Sequence, residues 1–216
     1  MVVKLYKNDV SPVARACMMA CDLLNVQAEM IDVDVFKGEH LAPEFVKKNP
    51  LHAVPVLEDG DLVLHDSHAI LMYLAEKYDK NGSLYPKDMK QRALVNQKLF
   101  FSISFVYMRL RDITGPLIFE GEKPSEKRFK AIDETYGFLE EFLSRTKYLA
   151  GDSMTIADIS AFASGVALGF LVELDGQKYP KLHAWMTTMK QMPVSQKFNA
   201  PGHSAYEKFI KKLLAA

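Results

Sequence analysis

The fold of this chain is decided by the stretch Asn49-Pro50-Leu51-His52-Ala53-Val54-Pro55-Val56-Leu57, where a proline interrupts a run that otherwise predicts a β-strand. Proline cannot donate a hydrogen bond to a β-ladder, so Pro55 must lie at an edge, at a strand start or in an unusual bond geometry. The preceding Val54 is held extended. Its backbone can therefore pair with an incoming peptide instead of with its own chain.

A second informative segment, Asp66-Ser67-His68-Ala69-Ile70, stands where an apolar helical pattern begins. The first N–H groups of a helix have no partner within the helix, and they attract anions. A helix start beside a peptide-pairing strand suits a small anionic peptide. Together the two segments predict a peptide-binding site.

Composition excludes several classes of protein. Lys+Arg and Asp+Glu both number 27 in 216 residues, so no overall charge favours nucleic acid or an anionic membrane surface. No apolar run approaches the roughly 18 residues that would cross a bilayer, and Lys4 interrupts the N-terminus too early for a signal peptide. Cys17 and Cys21 lie four apart on one predicted helix. That spacing is poor for a disulfide and favours the reducing cytoplasm.

Residues 1–79 alternate strand and helix signals. Asp59-Gly60, between two short apolar runs, predicts a β-hairpin. The order of elements, with a parallel half and a hairpin half, predicts an α/β thioredoxin-like domain. The predicted strands are 2–6, 28–35, 54–57 and 62–64, and the predicted helices are 13–24, 43–48 and 67–78.

Residues 80–88 interrupt this pattern with Gly82 and Pro86 and are interpreted as a linker. Residues 89–216 show helical periodicity without strand-like alternation, which predicts a second, all-α domain built as a helical bundle. Its predicted helices are 90–113, 125–146, 156–174, 181–192 and 205–214.

The motif Thr155-Ile156-Ala157-Asp158 has the spacing of a capping box, with aspartate in place of the usual glutamate. Asp158 could be a catalytic acid or a device of folding. The spacing favours the second interpretation, so we expect Asp158 to be structural.

Ser11-Pro12 falls between the first strand and the first helix. Serine at an N-cap followed by proline is an ordinary helix start, and local sequence alone favours that interpretation. The position allows more, because a thiol bound at a helix N-terminus beside a hydroxyl is favoured as the thiolate. Lowering a thiol pKa by about two units needs roughly 2.7 kcal/mol. A hydrogen bond to a charged group supplies roughly 1.5–3 kcal/mol.

Serine cannot exchange disulfides, so an activated sulfur at this position belongs to the substrate. Cys17 and Cys21 lie deeper in the same helix and are expected to pack as small apolar residues. A second, electrophilic molecule bound beside the sulfur would then undergo thiol addition or substitution.

Two histidines could donate an N–H to a peptide carboxylate. His52 precedes the Val54-Pro55 segment, and His40 follows a Gly38-Glu39 turn. Each could instead be a surface loop residue, an interpretation that fits His40 better than His52. His68, in the first turn of its helix, could merely orient the Asp66-Ser67 turn. The remaining histidines have no spacing typical of a metal site, so no metal is expected.

Taken together, these motifs resemble cytosolic glutathione transferases, near the insect delta and epsilon classes or an unclassified one. The resemblance covers nearly the whole chain, and the combination is far more specific than any single motif. It is carried by Ser11-Pro12, Gly38-Glu39-His40, Asn49 to Pro55, Asp66 to Ile70, Ser83-Leu84-Tyr85-Pro86 and Thr155 to Asp158.

The resemblance implies a cis Val54-Pro55 bond and backbone pairing of Val54 with the cysteinyl unit of glutathione. It implies that the 66–68 segment holds the γ-glutamyl end and that the two loop histidines hold the glycine carboxylate. The implied catalytic residue is Ser11, and the implied glutathione-binding residues are His40, His52, Ala53, Val54, Pro55, Asp66, Ser67 and His68.

Two residues depart from the family pattern. Leu51 replaces a glutamine usual before the histidine and removes a polar group near the glycine end. Asp66 replaces a commoner glutamate and is shorter by one methylene.

The resemblance also places a second substrate between the sulfur and the long helix after the linker. Tyr107 and Arg111 are four residues apart and share a helix face, which suits an apolar electrophile with a polar or anionic group. Singly, the apolar members could equally be core. The candidates are Val10, Pro12, Tyr107, Met108, Arg111, Ile118, Phe119, Tyr206 and Phe209.

The leading hypothesis is an enzyme that conjugates glutathione, as co-substrate and without a cofactor, to hydrophobic electrophiles, including xenobiotics such as insecticides. Peroxide reduction and a role in hormone synthesis stay open. A different hypothesis is a non-catalytic carrier of hydrophobic ligands or steroids, and a third is a structural, complex-anchoring domain. The resemblance further implies a homodimer.

Overall fold

The computed structural model describes residues 2–215. A mixed four-stranded sheet forms the first part, with strands β1 (Val3–Lys7), β2 (Ala28–Asp32), β3 (Val56–Asp59) and β4 (Leu62–His65) in the order β2-β1-β3-β4. The β1 and β2 strands are parallel, whereas β1–β3 and β3–β4 are antiparallel. The predicted thioredoxin-like arrangement is confirmed.

Three helices accompany the sheet. They are α1 (Pro12–Leu23), α2 (Pro43–Lys48) and α3 (Ser67–Tyr78). The bounds of α2 and α3 match the sequence prediction. Strand β3 begins at Val56, two residues later than predicted, because Pro55 has no N–H to donate to the ladder.

The second part is helical. After residues 79–88, which contain neither helix nor strand, it comprises α4 (Met89–Phe101), α5 (Met108–Phe119), α6 (Glu126–Arg145), α7 (Ile156–Leu168), α8 (Pro180–Gln191) and α9 (Ala200–Ala215). The predicted all-helical domain is confirmed. Helix α7 is buried along its whole length and packs against α1, so it joins the two parts of the molecule.

The first helix after the linker differs from the prediction of one helix over 90–113. A π-helical segment, Ser102–Tyr107, separates α4 from α5, and α5 continues to Phe119 with Pro116 inside it. A π turn inserts a residue into the helical spacing, which periodicity alone does not reveal. The Gly115-Pro116 pair indicates a helix end, but tertiary packing carries the helix past it.

Two other helices differ from the prediction by more than one residue at one end. Helix α7 ends at Leu168, not at Leu174, because the chain turns after Gly169. Helix α9 begins at Ala200, five residues earlier than predicted, and follows a π-helical segment, Ser195–Asn199. Pro201, the second residue of α9, has no N–H and so donates no backbone hydrogen bond back to that segment.

Asp158 is structural, as predicted. Its fully buried carboxylate accepts hydrogen bonds from the N–H groups of Leu149 and Thr155, both at 2.9 Å, and from Trp185 Nε1 at 3.2 Å. The Thr155 hydroxyl donates a further bond at 3.1 Å. The capping box therefore also anchors the 149 loop and α8. Burial raises the pKa of Asp158, and the hydrogen bonds oppose that rise.

Both cysteines are free and buried, as expected. Burial raises the pKa of Cys17 well above its usual range and that of Cys21 to about 12, so both stay neutral thiols. Within residues 2–215, no helix is long and apolar enough to cross a bilayer. That part of the chain also holds no group of three His, Cys, Asp or Glu side chains arranged for a metal ion.

We predict that Asp158→Ala lowers the free energy of unfolding by about 3 kcal/mol or more, because it leaves several buried donors without an acceptor. The matched control is Asp88→Ala, since Asp88 caps α4 from an exposed position through the N–H groups of Lys90 and Gln91. Its loss should cost only about 1 kcal/mol. Urea unfolding of both variants measures the difference, and equal losses would contradict the anchoring role of Asp158.

Candidate active site

Strand order brings three chain segments to one end of the sheet. Because β3 is antiparallel to β1, its start at Val56 lies beside Tyr6 near the end of β1, and the turn to Ser11 follows. Strand β4 is antiparallel to β3, so His65 at its end also pairs with Val56 and leads into Asp66. The N-termini of α1 and α3 therefore meet the start of β3.

A cavity of about 160 Å³ occupies this meeting point. The N-terminal part and the π-helical segment both contribute to its wall. The lining residues are Val13, Asn49, Leu51, Ala53, Val54, Pro55, His65, Asp66, Ser67, Ile103 and Tyr107. The cavity thus brings together the predicted residues Ala53, Val54, Pro55, Asp66 and Ser67.

Val54 presents an unpaired backbone to this cavity. The Val54-Pro55 peptide bond is cis, as the resemblance implied. Within residues 2–215, neither the N–H nor the C=O of Val54 forms a hydrogen bond. A half-buried residue with an unpaired backbone is suited to pairing with a bound peptide.

The loop before Val54 is held by Asn49, a buried residue that no sequence motif marks as functional. Its Nδ2 donates to the Ala53 carbonyl at 2.8 Å, and its Oδ1 accepts from the Leu51 N–H at 3.0 Å. The Asn49-Pro50 dipeptide was a signal for such a turn. Asn49 therefore fixes the conformation of the loop at residues 49–53, and it is not predicted to contact a ligand.

Asp66 caps α3 from a left-handed conformation, φ +74°, which is uncommon for a residue other than glycine. Its Oδ1 accepts from the N–H groups of His68 and Ala69 at 2.8 and 3.2 Å. Its Oδ2 accepts no hydrogen bond from the residues that the structure describes, so it can accept one from an ammonium group. Beside it, the Ser67 N–H has no partner within residues 2–215 and can donate to a carboxylate.

The side chain of His68 lies away from the cavity. It is buried in the interface between the two parts of the chain, with Nε2 2.7 Å from Ser160 Oγ of α7. Ser160 Oγ is in turn 2.9 Å from Ser102 Oγ, at the start of the π-helical segment. Burial lowers the pKa of His68, which favours the neutral imidazole. The structure thus places this side chain against α7, whereas Asp66 and Ser67 of the same segment line the cavity.

Ser11 is the N-cap of α1. Its hydroxyl oxygen accepts from the Ala14 N–H at 3.4 Å, a long hydrogen bond. A hydroxyl has one donor and two acceptor positions, so capping leaves its proton available. Ser11 can therefore cap the helix and donate to a bound anion at the same time.

His40 and His52 lie close to each other, with ring centroids 6.1 Å apart. His52 is exposed in a left-handed loop conformation, whereas His40 is half-buried in a short 3₁₀ turn, Glu39–Leu41. Burial, followed by the charge of His52, lowers the pKa of His40. The two imidazoles form a small basic pair that could receive a carboxylate, and the exposed Leu51 adds no polar group to it.

The predicted electrophile residues lie on several elements. Tyr107 lines the cavity, Tyr206 of α9 is buried, and the guanidinium of Arg111 reaches along α5 to the Phe119 ring, 5.4 Å from its centroid. Phe209 contacts the exposed Phe36 of the N-terminal part, with ring centroids 5.1 Å apart. Val10 and Ile118 are half-buried, Pro12 is buried, and Met108 and Phe119 are exposed.

The fold is a thioredoxin-like domain followed by a helical domain, with a cavity that residues of both line. Comparison with known families agrees with this description. Residues 5–82 match the glutathione S-transferase N-terminal domain, and residues 95–193 match the glutathione S-transferase C-terminal domain.

Similar proteins come from insects. The chain is 41% identical to glutathione S-transferase 1 of Manduca sexta over the whole of both chains. An epsilon-class glutathione S-transferase from the housefly, Musca domestica, superimposes with a TM-score of 0.96 at 41% identity, covering 98% of each chain. A glutathione transferase homologue from Drosophila mojavensis with bound glutathione gives a TM-score of 0.95 at 38% identity, covering 98% of this chain and 97% of the other.

The chain therefore belongs to the glutathione S-transferase family. The fold and the enzyme class predicted from the sequence are both confirmed. The residues that contact glutathione and the electrophile remain predictions.

We predict that S-methylglutathione, which has no ionisable thiol, binds several-fold more tightly at pH 5.5 than at pH 7.5. In the free protein the pKa of His40 is below its usual value, so the imidazole is neutral at pH 7. A bound carboxylate would raise that pKa, so the complex takes up a proton and is favoured as the pH falls. Calorimetric titration measures the affinity at each pH.

The dependence should be reduced in His40→Asn and unchanged in His183→Asn, whose histidine is exposed on α8. The same pH dependence in His40→Asn as in the unaltered protein would contradict the assignment of His40.

Proposed function

We propose that this enzyme holds glutathione across the 160 Å³ cavity and uses the Ser11 hydroxyl to keep its sulfur as a thiolate. The thiolate then attacks a hydrophobic electrophile held between Ser11, α5 and α9. A carbon–sulfur bond forms, and the leaving group departs with its electron pair or, in an addition, the electrophile takes up a proton. In this proposal glutathione is a co-substrate, the reaction calls on no cofactor, and its biological use is the removal of xenobiotics.

One observation carries the proposal most directly: the Ser11 hydroxyl caps α1 as an acceptor, which leaves its proton available, at the same end of the sheet as the unpaired backbone of Val54. A cysteinyl residue paired with Val54 would bring its side chain toward this hydroxyl. A hydrogen bond to the thiolate and the helix N-terminus together supply roughly 2–4 kcal/mol, which is enough to lower the thiol pKa by about two units.

The remaining contacts follow from charge and position. The glutathione γ-glutamyl unit carries an ammonium and a carboxylate, which match the free Oδ2 of Asp66 and the Ser67 N–H. The glycine carboxylate at the other end is assigned to His40 and His52. Opposite charges within hydrogen-bond distance favour this one direction of the tripeptide.

The electrophile site is proposed to favour substrates that carry an anionic group. A β-carbon at Gly115 would lie 2.6 Å from Arg111 Nη1, so the glycine gives the guanidinium room to lie along the helix. Arg109 of the same helix pairs with Glu134, whereas Arg111 forms no ion pair within residues 2–215. An arginine without a carboxylate partner, one turn from Tyr107, can receive a substrate carboxylate.

We also propose a homodimer in the cytoplasm. Met89, Leu94 and Phe100 of α4 are large apolar side chains that are exposed, Met89 by 82%. Exposed apolar patches on a folded chain are typical of contacts with another protein. The two buried free cysteines are compatible with a reducing compartment.

We predict that Ser11→Ala lowers kcat/KM for conjugation of 1-chloro-2,4-dinitrobenzene by roughly ten- to hundredfold, because a hydrogen bond to a charged sulfur is lost. The affinity for S-methylglutathione should be nearly unchanged. Steady-state kinetics and calorimetry measure these quantities. The matched control is Ser125→Ala, because Ser125 caps α6 without a side-chain hydrogen bond.

Unchanged turnover in Ser11→Ala would refute the role of Ser11. If the unaltered protein retains hydrophobic ligands but turns over no electrophile of a broad panel, the carrier hypothesis would replace the proposed one.

For the electrophile site we predict a change in preference between 4-chloro-3-nitrobenzoate and its neutral analogue 4-chloro-3-nitrobenzamide. Arg111→Gln should lower kcat/KM for the benzoate about five- to tenfold relative to the benzamide, since one charge-assisted hydrogen bond is lost. Arg109→Gln, on the same helix, should leave the ratio unchanged. An equal effect of both substitutions would mean that Arg111 does not meet the substrate's charge.

A further inference from the structure

A buried cation lies directly behind the turn that carries Ser11. Arg15 is 0% exposed, although it belongs to a helix whose other buried residues are apolar or small. The sequence analysis gave it no role. Its Nη1 donates to the carbonyls of Asp9 and Val10, both at 2.9 Å, which are the two residues before Ser11.

The same guanidinium binds the C-terminal part of the chain. Its Nε donates to Asn199 Oδ1 at 2.8 Å, and its Nη2 lies 3.5 Å from the carbonyl of Ala163 in α7. Arg15 therefore fixes the 9–11 turn to two helical segments of the other domain. Its hydrogen-bond partners are all neutral, so they satisfy its donors without cancelling its charge.

Close packing leaves this arrangement little freedom. A β-carbon at Gly202 of α9 would lie 2.0 Å from the Asp9 carbonyl oxygen and 3.0 Å from Arg15 Cδ. Glycine is thus required where α9 approaches the turn. The Asp9 carboxylate points elsewhere, to Lys7 Nζ at 2.7 Å, and is half exposed.

Arg15 stays charged at neutral pH. Burial lowers its pKa to about 10, an effect that Tyr206 and Asp9 oppose. On the facing helix α9, burial and the charge of Arg15 lower the pKa of His203 to about 4, so this neighbour is neutral. Burial raises the pKa of Tyr206, which is neutral as well.

The charge is near the proposed sulfur position. From Nη1 the path runs through a 2.9 Å hydrogen bond to the Val10 carbonyl and then through five covalent bonds to Ser11 Oγ. Standard bond lengths limit this separation to about 10 Å. A unit charge about 10 Å away, at an effective dielectric constant near 20, shifts a pKa by about one unit.

We propose that Arg15 is a positioning residue with an electrostatic effect: it fixes the turn that carries Ser11, and its uncompensated charge lowers the pKa of the bound glutathione thiol. This inference rests on the proposed function of Ser11. The Ser11 hydroxyl makes the direct contact with the sulfur. Arg15 contributes a positive charge at a fixed position on the other side of the Ser11 turn.

The test uses the isosteric substitution Asn199→Asp, which keeps an acceptor for Nε and places a negative charge beside Arg15. The pKa of bound glutathione is read from thiolate absorbance near 240 nm as the pH is raised, with Asn199→Ala as the charge-conserving control. We expect Asn199→Asp to raise the thiol pKa by about one unit and Asn199→Ala to leave it within a few tenths.

A second pair of variants separates the effect of the Arg15 charge from an effect on folding. Arg15→Met should raise the thiol pKa by a similar amount, and Arg15→Lys should restore most of the shift, with S-methylglutathione binding and urea unfolding as checks on the fold. If Arg15→Met does not fold, the comparison of Asn199→Asp with Asn199→Ala still tests the effect of charge on the thiol pKa.

An unchanged thiol pKa in Asn199→Asp would overturn the inference about Arg15. Ser11→Ala distinguishes this failure from failure of the proposed function. If Ser11→Ala raises the thiol pKa and Asn199→Asp does not, only the inference fails. If Ser11→Ala leaves the thiol pKa unchanged, the proposed function fails with it.

Discussion

The site depends on one feature of the backbone: within residues 2–215, Val54, just before β3, forms no backbone hydrogen bond. The ladder starts at Val56, since Pro55 has no N–H to donate, and antiparallel pairing on both sides brings the ends of β1 and β4 to that point. The Ser11 turn and the Asp66 cap then follow directly along the chain. The strand order thus brings the unpaired backbone of Val54, the Ser11 hydroxyl and the N-terminus of α3 to one end of the sheet.

The helical domain holds this assembly through buried polar contacts as well as apolar packing. Two such contacts support elements that carry the site. The hydrogen bonds among His68, Ser160 and Ser102 hold α3, and the hydrogen bond from Arg15 to Asn199 holds the Ser11 turn. Each joins residues that are far apart in sequence, and each is removed from solvent, where an unmade hydrogen bond is costly. The orientation of the residues proposed to bind glutathione is therefore set in part by the domain that also carries the proposed electrophile site.

Much of the fold could be predicted from the sequence because local signals agree with the tertiary structure. Strand and helix periodicity, the Asp59-Gly60 turn and the Thr155–Asp158 capping box all gave elements that the structure contains. The π-helical segments and the continuation past Pro116 could not be predicted, since tertiary packing overrides local propensity there. For the site, the motifs around Ser11, Val54 and Asp66 could be recognised from the sequence. The inward direction of His68 and the burial of Arg15 depend on contacts with α7 and α9, which no local pattern encodes.

The central claim is that bound glutathione pairs with the Val54 backbone and directs its sulfur at the Ser11 hydroxyl. A crystal structure of the complex with glutathione tests it most directly. The account predicts antiparallel hydrogen bonds from the cysteinyl unit to the N–H and C=O of Val54, with the sulfur within about 3.5 Å of Ser11 Oγ. A tripeptide bound with its sulfur turned away from Ser11, or bound without contact to Val54, would contradict it.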